Sequence, residues 1–308
     1  MKICIQTGDI VDRLGIRKGY SIIKRAGFEA VDWNLDHAWN GSDIRKGTYK
    51  GKCIFEKSLE EVKDRYACEL SVIRENGLII TQAHAPFPAY SVNCPEVLDY
   101  AIEIYKRNIE YCDAIGCKNL VIHGIPLSMA DEINTVESIR QLNLKLYTSL
   151  IPVLLRCNVT VCLENLFTNY RGVMYRGHCG DAYQAAAFID ELNALAGKEV
   201  FGLCLDTGHQ NLLKMDFRES IPVLNKRIKA LHIHDNDAVT DLHMAPLTGT
   251  VRWDYFCASL KSIGYDGDLD FETFNQTNKV LDFDEELLLP WMKLICKTGK
   301  VFKKRIEG

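Results

Sequence analysis

The chain has 308 residues, 47% of them hydrophobic and 25% charged, which are values of a globular protein and exclude both intrinsic disorder and a disulfide miniprotein. Its 37 Lys and Arg against 41 Asp and Glu leave a net charge of −4, with no basic arm or acidic tail to hold nucleic acid or a membrane surface. No apolar run approaches the ~18 residues of a membrane span. The opening Met1-Lys2-Ile3-Cys4-Ile5-Gln6-Thr7 alternates like a strand and is unlike a signal peptide, so a cytoplasmic protein is expected. The 12 cysteines include no Cys-x-x-Cys pair, and Cys4, Cys162 and Cys204 lie within apolar runs, so they read as reduced packing residues.

Short β-branched and apolar runs alternate with longer stretches of helical period, the pattern of βα units around a parallel sheet. In chain order the expected strands are Ile3–Gln6, Ala30–Trp33, Leu78–Gln82, Leu120–Ile122, Thr160–Leu163, Gly202–Leu205, Ala230–Ile233 and Gly267–Phe271. The clearest helix is Cys94–Ala114, with Leu98, Ile102, Tyr105 and Ile109 at helical spacing. Length alone allows two domains of about 150 residues or one barrel of about 250. Eight such units without a dividing linker point to an α/β fold, a single (β/α)8 TIM barrel over residues 1–308. An open doubly wound sheet is the alternative, but no Gly-x-Gly-x-x-Gly turn follows the first strand. Two connections are long: His37–Ser58, and Phe167–Asp181 with Tyr170, Arg171, Tyr175, Arg176 and His178. They are either plain solvated loops or covers over a site at the strand C-termini.

Polar, metal-competent residues recur where strands end: His84, His123, Glu164, Asp206 with His209, His234 and Glu272. A single histidine is more often a hydrogen-bonded core residue than a ligand. Six strands ending in His, Asp or Glu are different, because a barrel converges them on one solvent-facing point. Carboxylates packed there repel and take up protons unless a cation compensates them. Glu164, Asp206, His234 and Glu272 offer three carboxylates and one imidazole, a set suited to Mn²⁺, Co²⁺, Zn²⁺ or Mg²⁺. His232 and His234 share a strand face, and His234, nearer the strand end, is the expected ligand with His232 one layer deeper. Asp241-Leu242-His243 with His209 makes either a second metal position or a solvated loop. Asn165, Asn236 and Asp237 are positioned to orient these ligands or to form surface turns.

The segments His84-Ala85-Pro86-Phe87, Val121-Ile122-His123-Gly124, Cys162-Leu163-Glu164-Asn165, Leu205-Asp206-Thr207-Gly208-His209, His232-Ile233-His234-Asp235-Asn236, Asp241-Leu242-His243 and Gly264-Tyr265-Asp266-Gly267 before Phe271-Glu272 carry a resemblance. In this order and spacing the chain resembles the xylose-isomerase-like TIM barrel family, which holds sugar isomerases, ketose 3-epimerases, inosose-processing enzymes and endonuclease IV. The epimerase branch implies that Glu164, Asp206, His234 and Glu272 hold one metal, that both glutamates move the proton, and that His209 touches substrate. The endonuclease IV branch implies a three-zinc site from His84, His123, Glu164, Asp206, His209, His234, Asp241, His243 and Glu272. Thr248 departs from the Gly-x-Gly form that sugar-processing members often show near Pro246–Trp253.

The function expected is isomerisation or epimerisation of a keto-sugar, sugar phosphate or related polyol by proton transfer through a metal-stabilised enediolate, with Glu164 and Glu272 as base and acid. His209 would orient a substrate hydroxyl, while Phe87 and, if it is not core, Trp33 would stack on the carbon skeleton. Arg252, with Arg171 and Arg176, would meet a phosphorylated substrate. The alternative is an endonuclease IV-like zinc-dependent phosphodiester hydrolase, which the net negative charge disfavours. A binding barrel without turnover gives no reason to converge so many ionisable groups.

Overall fold

The computed structural model describes residues 1–35, 39–126 and 135–308. His37, where the first long connection begins, lies outside them. The strands are β1 (Ile3–Gln6), β2 (Ala30–Asn34), β3 (Ile79–His84), β4 (Asn119–Ile122), β5 (Thr160–Glu164), β6 (Phe167–Tyr170), β7 (Val173–Arg176), β8 (Phe201–Asp206), β9 (Ile228–His232) and β10 (Leu269–Phe271). Eight of them form one parallel sheet in the order β10-β1-β2-β3-β4-β5-β8-β9. The two ends of that order meet. Ile233 bridges Phe271 in parallel, its N–H donating to the Asp270 carbonyl at 2.8 Å and its carbonyl accepting from the Glu272 N–H at 3.1 Å. This closure makes the sheet a TIM barrel and rules out the open doubly wound form.

Strand alternation sorts the side chains into two environments. Ile3, Ile5, Val31, Trp33, Leu120, Ile122, Val161, Leu163, Leu203, Leu205, Leu231, Ile233, Leu269 and Phe271 belong to the main hydrophobic core between sheet and helices. The intervening positions Val121, Cys162, Cys204 and Ala230 form a separate small cluster of buried residues. Next along those same strands come His123, Glu164, Asp206, His232 and His234. Burial pushes the Cys162 thiol up to about 12, so at neutral pH it is a neutral filler. All twelve cysteines are free and most are buried.

The helices follow from local signals. Helix Leu59–Glu75 starts with a capping box in which the Ser58 hydroxyl accepts from the Glu61 N–H and the Glu61 carboxylate accepts from the Ser58 N–H. Helix Val97–Ile115 buries Leu98, Ala101, Ile102, Tyr105 and Ile109 on one face and stops at Gly116, whose φ of 78° suits glycine. No helix among the described residues is long and apolar enough to cross a membrane.

The second long connection is partly ordered as an antiparallel hairpin, β6 against β7, pairing Phe167 with Arg176 and Tyr170 with Val173. Its turn residues Arg171 and Gly172 both have positive φ, 53° and 80°, as a two-residue hairpin turn with the sheet's own twist requires. Arginine is a poor marker of such a turn, which is why the sequence reads as an unstructured loop. In the first long connection, Gly41–Lys46 is a short helix capped by the Asn40 side chain.

His178, just past this hairpin, packs between Tyr147 and Phe188, and burial alone lowers its pKa from 6.5 to about 4. The unfolded chain therefore binds a proton that the folded one refuses. Between pH 6.5 and 4 the contribution of this one imidazole to stability is lost as pH falls, about 3 kcal/mol. His178→Phe should flatten the acid limb of the unfolding free energy by roughly that amount, read from urea titrations at a series of pH values. An unchanged pH profile would refute the assignment.

Candidate metal centre

The strand alternation that fills the barrel wall also delivers the polar residues to its C-terminal mouth. His84 ends β3, Glu164 ends β5, Asp206 ends β8, and His123, His234 and Glu272 sit one or two residues past β4, β9 and β10. Glu164, Asp206 and His234 are no more than 1% exposed. Asp206 also caps the short helix Thr207–Leu212, one carboxylate oxygen accepting the His209 N–H at 2.7 Å, and this turn brings His209 back over the barrel.

The contacts form one continuous cluster. His123 Nε2 lies 2.8 Å from Glu164 Oε2 and 3.1 Å from His84 Nε2. His209 Nδ1 approaches Glu164 Oε1 at 3.2 Å, and its Nε2 approaches Asp241 at 3.5 Å. His234 Nε2 is 2.9 Å from Asp206, while His243 reaches Asp241 at 3.1 Å and Glu272 Oε2 at 3.4 Å. Donor atoms within 4.8 Å of one another group as His84/His123/Glu164, Asp206/His209/His234, His234/Asp241/His243 and Glu164/Asp206/His232. Glu272 joins through His243 and through His232 Nδ1, 3.6 Å away. All nine residues named from the strand ends and the Asp241–His243 segment are thus gathered in one place.

Among the described residues, every ion-pair contact of Glu164, Asp206, Asp241 and Glu272 is to a histidine; none is to Lys or Arg. Two carboxylates about 4 Å apart repel by roughly 4 kcal/mol at an effective dielectric of 20, so several together need positive charge. The histidines respond to that demand. Burial works against a charged imidazole, but the Asp206, Asp241 and Glu164 carboxylates raise His209 well above its usual range. His243 is raised to about 9, against its own burial, chiefly by Glu272 and Asp241. Glu164, despite a burial that favours its neutral form, is held well below the usual carboxylate range by His123 and His232. A divalent cation fits the same set: hard carboxylate oxygens mixed with imidazole nitrogens, with His234 Nδ1, His232 Nδ1 and Asp241 Oδ1 buried and lacking a hydrogen-bond partner.

The surroundings hold the cluster in place. Asn165 clamps the Asp206 peptide, donating to its carbonyl at 3.0 Å and accepting from its N–H at 2.6 Å. Asn236 donates to the Gly208 carbonyl, and Thr207 Oγ1 bonds both the N–H and the carbonyl of His234. Asp237 instead caps an exposed turn through the Val239 and Thr240 N–H groups. Sequence reasoning missed Asp235, whose buried carboxylate accepts from the N–H groups of Asn236, Leu247 and Val251 and from Trp253 Nε1, tying the loop after β9 to the barrel. It missed Phe167 and Phe274 too, whose rings lie 4.9 Å from His209 and 4.1 Å from His243, as Phe87 lies 4.3 Å from His123.

Three residues considered for substrate contact are engaged elsewhere. Trp33 is buried core, its Nε1 donating to Glu69, and so cannot face a ligand. Arg252 is exposed, paired with Asp254 and lying over Tyr255. Arg176 pairs with Asp181.

A family model described as xylose isomerase-like TIM barrel matches residues 21–294, and the chain belongs to that family. It is 34% identical to a ketose 3-epimerase of Arthrobacter globiformis over 95 residues, 30% of this chain and 29% of that one. It is 24% identical to a probable endonuclease 4 of Mycoplasma pneumoniae over 183 residues, 54% and 56% of the two chains. The crystal structure of D-allulose 3-epimerase from Methylomonas sp. in complex with D-allulose shares the fold with a TM-score of 0.68 and 19% identity, over 99% of this chain and 96% of that one.

Gly208 provides a direct test of the cluster. A Cβ built there would meet His234 Cε1 at 1.9 Å, so the histidine is seated only because residue 208 has no side chain. Gly208→Ala should displace His234, weaken divalent-metal binding by about 10-fold or more and lower stability by roughly 1–3 kcal/mol. Metal analysis after dialysis and thermal unfolding read the two effects; full metal retention would show that His234 is not part of the centre.

Proposed function

We propose that the protein is a divalent-metal-dependent sugar isomerase or epimerase acting on a keto-sugar or related polyol. The observation that carries this reading is the convergence of two glutamates from different strands. Glu164 Oε2, at the end of β5, and Glu272 Oε2, just past β10, lie 3.4 and 3.6 Å from the same atom, His232 Nδ1. Moving a proton at a carbon beside a carbonyl needs a base and an acid near one substrate atom, and two carboxylates brought so close supply that pair. The ketose 3-epimerase relatives support the same class of reaction.

Glu164, Asp206, His234 and Glu272 would hold the cation, of a kind such as Mn²⁺, Co²⁺, Zn²⁺ or Mg²⁺. When bound it would supply Lewis-acid polarisation of a carbonyl and its neighbouring hydroxyl. One glutamate removes the proton from the carbon, and the other returns a proton to complete the exchange. His209, held by Asp206, Glu164 and the Asn165 carbonyl, orients a substrate hydroxyl. Phe87, 40% exposed over His123, offers a ring to the carbon skeleton.

A specific observation also favours a second reading. The donors His84/His123/Glu164 and His234/Asp241/His243 form groups beyond the central one, as a multi-zinc phosphodiester hydrolase requires, and a probable endonuclease 4 is among the relatives. Metal counting separates the two: one exchangeable Mn²⁺ or Co²⁺ per chain supports the isomerase, three tightly held zincs the hydrolase. A keto-sugar panel run beside abasic DNA then decides between the reactions. On the isomerase reading, Glu164→Gln and Glu272→Gln each reduce exchange of substrate hydrogen with solvent by at least about 100-fold while the fold persists. Full exchange in either variant would remove that glutamate from the reaction.

A further inference from the structure

Beneath the candidate ligands lies a second polar layer that the proposed reaction does not use. His232 is 1% exposed, and its imidazole stands between three carboxylates on one side and one on the other. Its Nδ1 faces upward to Glu164 Oε2 at 3.4 Å, Glu272 Oε2 at 3.6 Å and Asp206 Oδ2 at 4.0 Å. Its Nε2 faces Asp32 Oδ2 at 3.4 Å, contributed by β2 on the other side of the barrel. Asp32 is fully buried and is itself held by Gln82 Nε2 at 2.7 Å. Small side chains at Val121, Cys162, Cys204 and Ala230 leave room for this arrangement inside the barrel wall.

We infer that His232, anchored by Asp32, is a positioning residue that sets the rotamers of both glutamates of the metal centre. Three features lead there. The Glu164 and Glu272 oxygens are nearly equidistant, at 3.4 and 3.6 Å, from one buried nitrogen without a hydrogen-bond partner, so one imidazole faces both carboxylates through space while Glu164 Oε2 takes its hydrogen bond from His123. The opposite nitrogen faces the Asp32 carboxylate across the barrel at 3.4 Å, a charge contact that draws the ring away from either glutamate. With one oxygen of each glutamate turned down to His232, the other is left for cation or substrate, and Glu164 Oε1 indeed lies toward His209 at 3.2 Å. Outer-sphere groups of this kind fix ligand orientation and cost about 10- to 100-fold in metal affinity when removed. The inference rests on the metal-centre reading and on no particular substrate.

The test uses metal-stripped wild type, His232→Leu, His232→Gln and Asp32→Asn, titrated with Mn²⁺ by calorimetry and read with Co²⁺ by visible absorption. His232→Leu should bind Mn²⁺ about 10- to 100-fold more weakly and shift the Co²⁺ bands. His232→Gln, which keeps an amide donor, should recover part of the loss, and Asp32→Asn, which keeps the volume but loses the charge, should weaken binding several-fold. If His232 only fills space, His232→Leu lowers the metal-free Tm and leaves the Mn²⁺ affinity and Co²⁺ spectrum at wild-type values, which overturns the inference. Should His232→Leu fail to fold, wild-type affinity and spectrum in Asp32→Asn overturn it equally. Failure of the wild type to take up any divalent ion defeats the metal centre and this inference together. Weakened binding in the variants, with no keto-sugar turned over by the wild type, removes the isomerase reading and supports the positioning role.

Discussion

Buried anionic charge that, among the described residues, meets histidine and no Lys or Arg is the constraint around which this barrel is organised. Glu164, Asp206, Asp241 and Glu272 meet at the strand C-termini, and among the described residues their ion-pair contacts are all with histidines. Burying such groups unpaired is among the costliest things a fold can do, and exposed salt bridges worth about 1 kcal/mol or less would not offset it. The arrangement makes sense as a receptacle for a cation. Each neighbouring feature, from the Asn165 clamp on Asp206 to the absent side chain at Gly208, keeps the donors where mutual repulsion would otherwise drive them apart.

The wall that bears this cluster is built from the opposite chemistry. Large aliphatic residues on the helix-facing side of each strand form the main core, and thiols and small aliphatics fill the barrel interior below the site. A rigid, closed sheet suits proton transfer, because base, acid and substrate carbon must hold their distances through the reaction. The loops above can vary without disturbing that frame. Here one of them is a hairpin and another is strung on the Asp235 carboxylate.

The ten ionisable residues of the cluster are compatible with two kinds of metal chemistry. A central group with two converging glutamates suits proton transfer, while the flanking groups around His123 and Asp241 suit additional cations. Sequence similarity reaches both kinds of protein, a ketose 3-epimerase and a probable endonuclease 4. What separates them is how many cations the donors hold and what the mouth admits, and Phe87, Phe167 and Phe274 beside three of the histidines give that mouth an apolar rim.

The barrel and its donors were legible in one dimension because both depend on short-range patterns. Alternation along each strand separates inner from outer residues, and a polar residue at a strand's end marks the mouth wherever eight strands close. The strand Ile3–Gln6 and the donors from His84 to Glu272 are readable for that reason. The hairpin Phe167–Arg176 was hidden because its turn uses Arg171, and Asp235 was hidden because all but one of its donors, Trp253 Nε1, are backbone N–H groups that leave no mark in residue types. Depth and direction belong to tertiary structure alone. That Trp33 turns outward to Glu69 on a helix and that Arg252 turns to its near neighbour Asp254 are side-chain directions that no strand period encodes. That His232 spans the interior from Asp32 to two glutamates is decided by which strands lie across the barrel from one another, a relation between residues up to 240 positions apart.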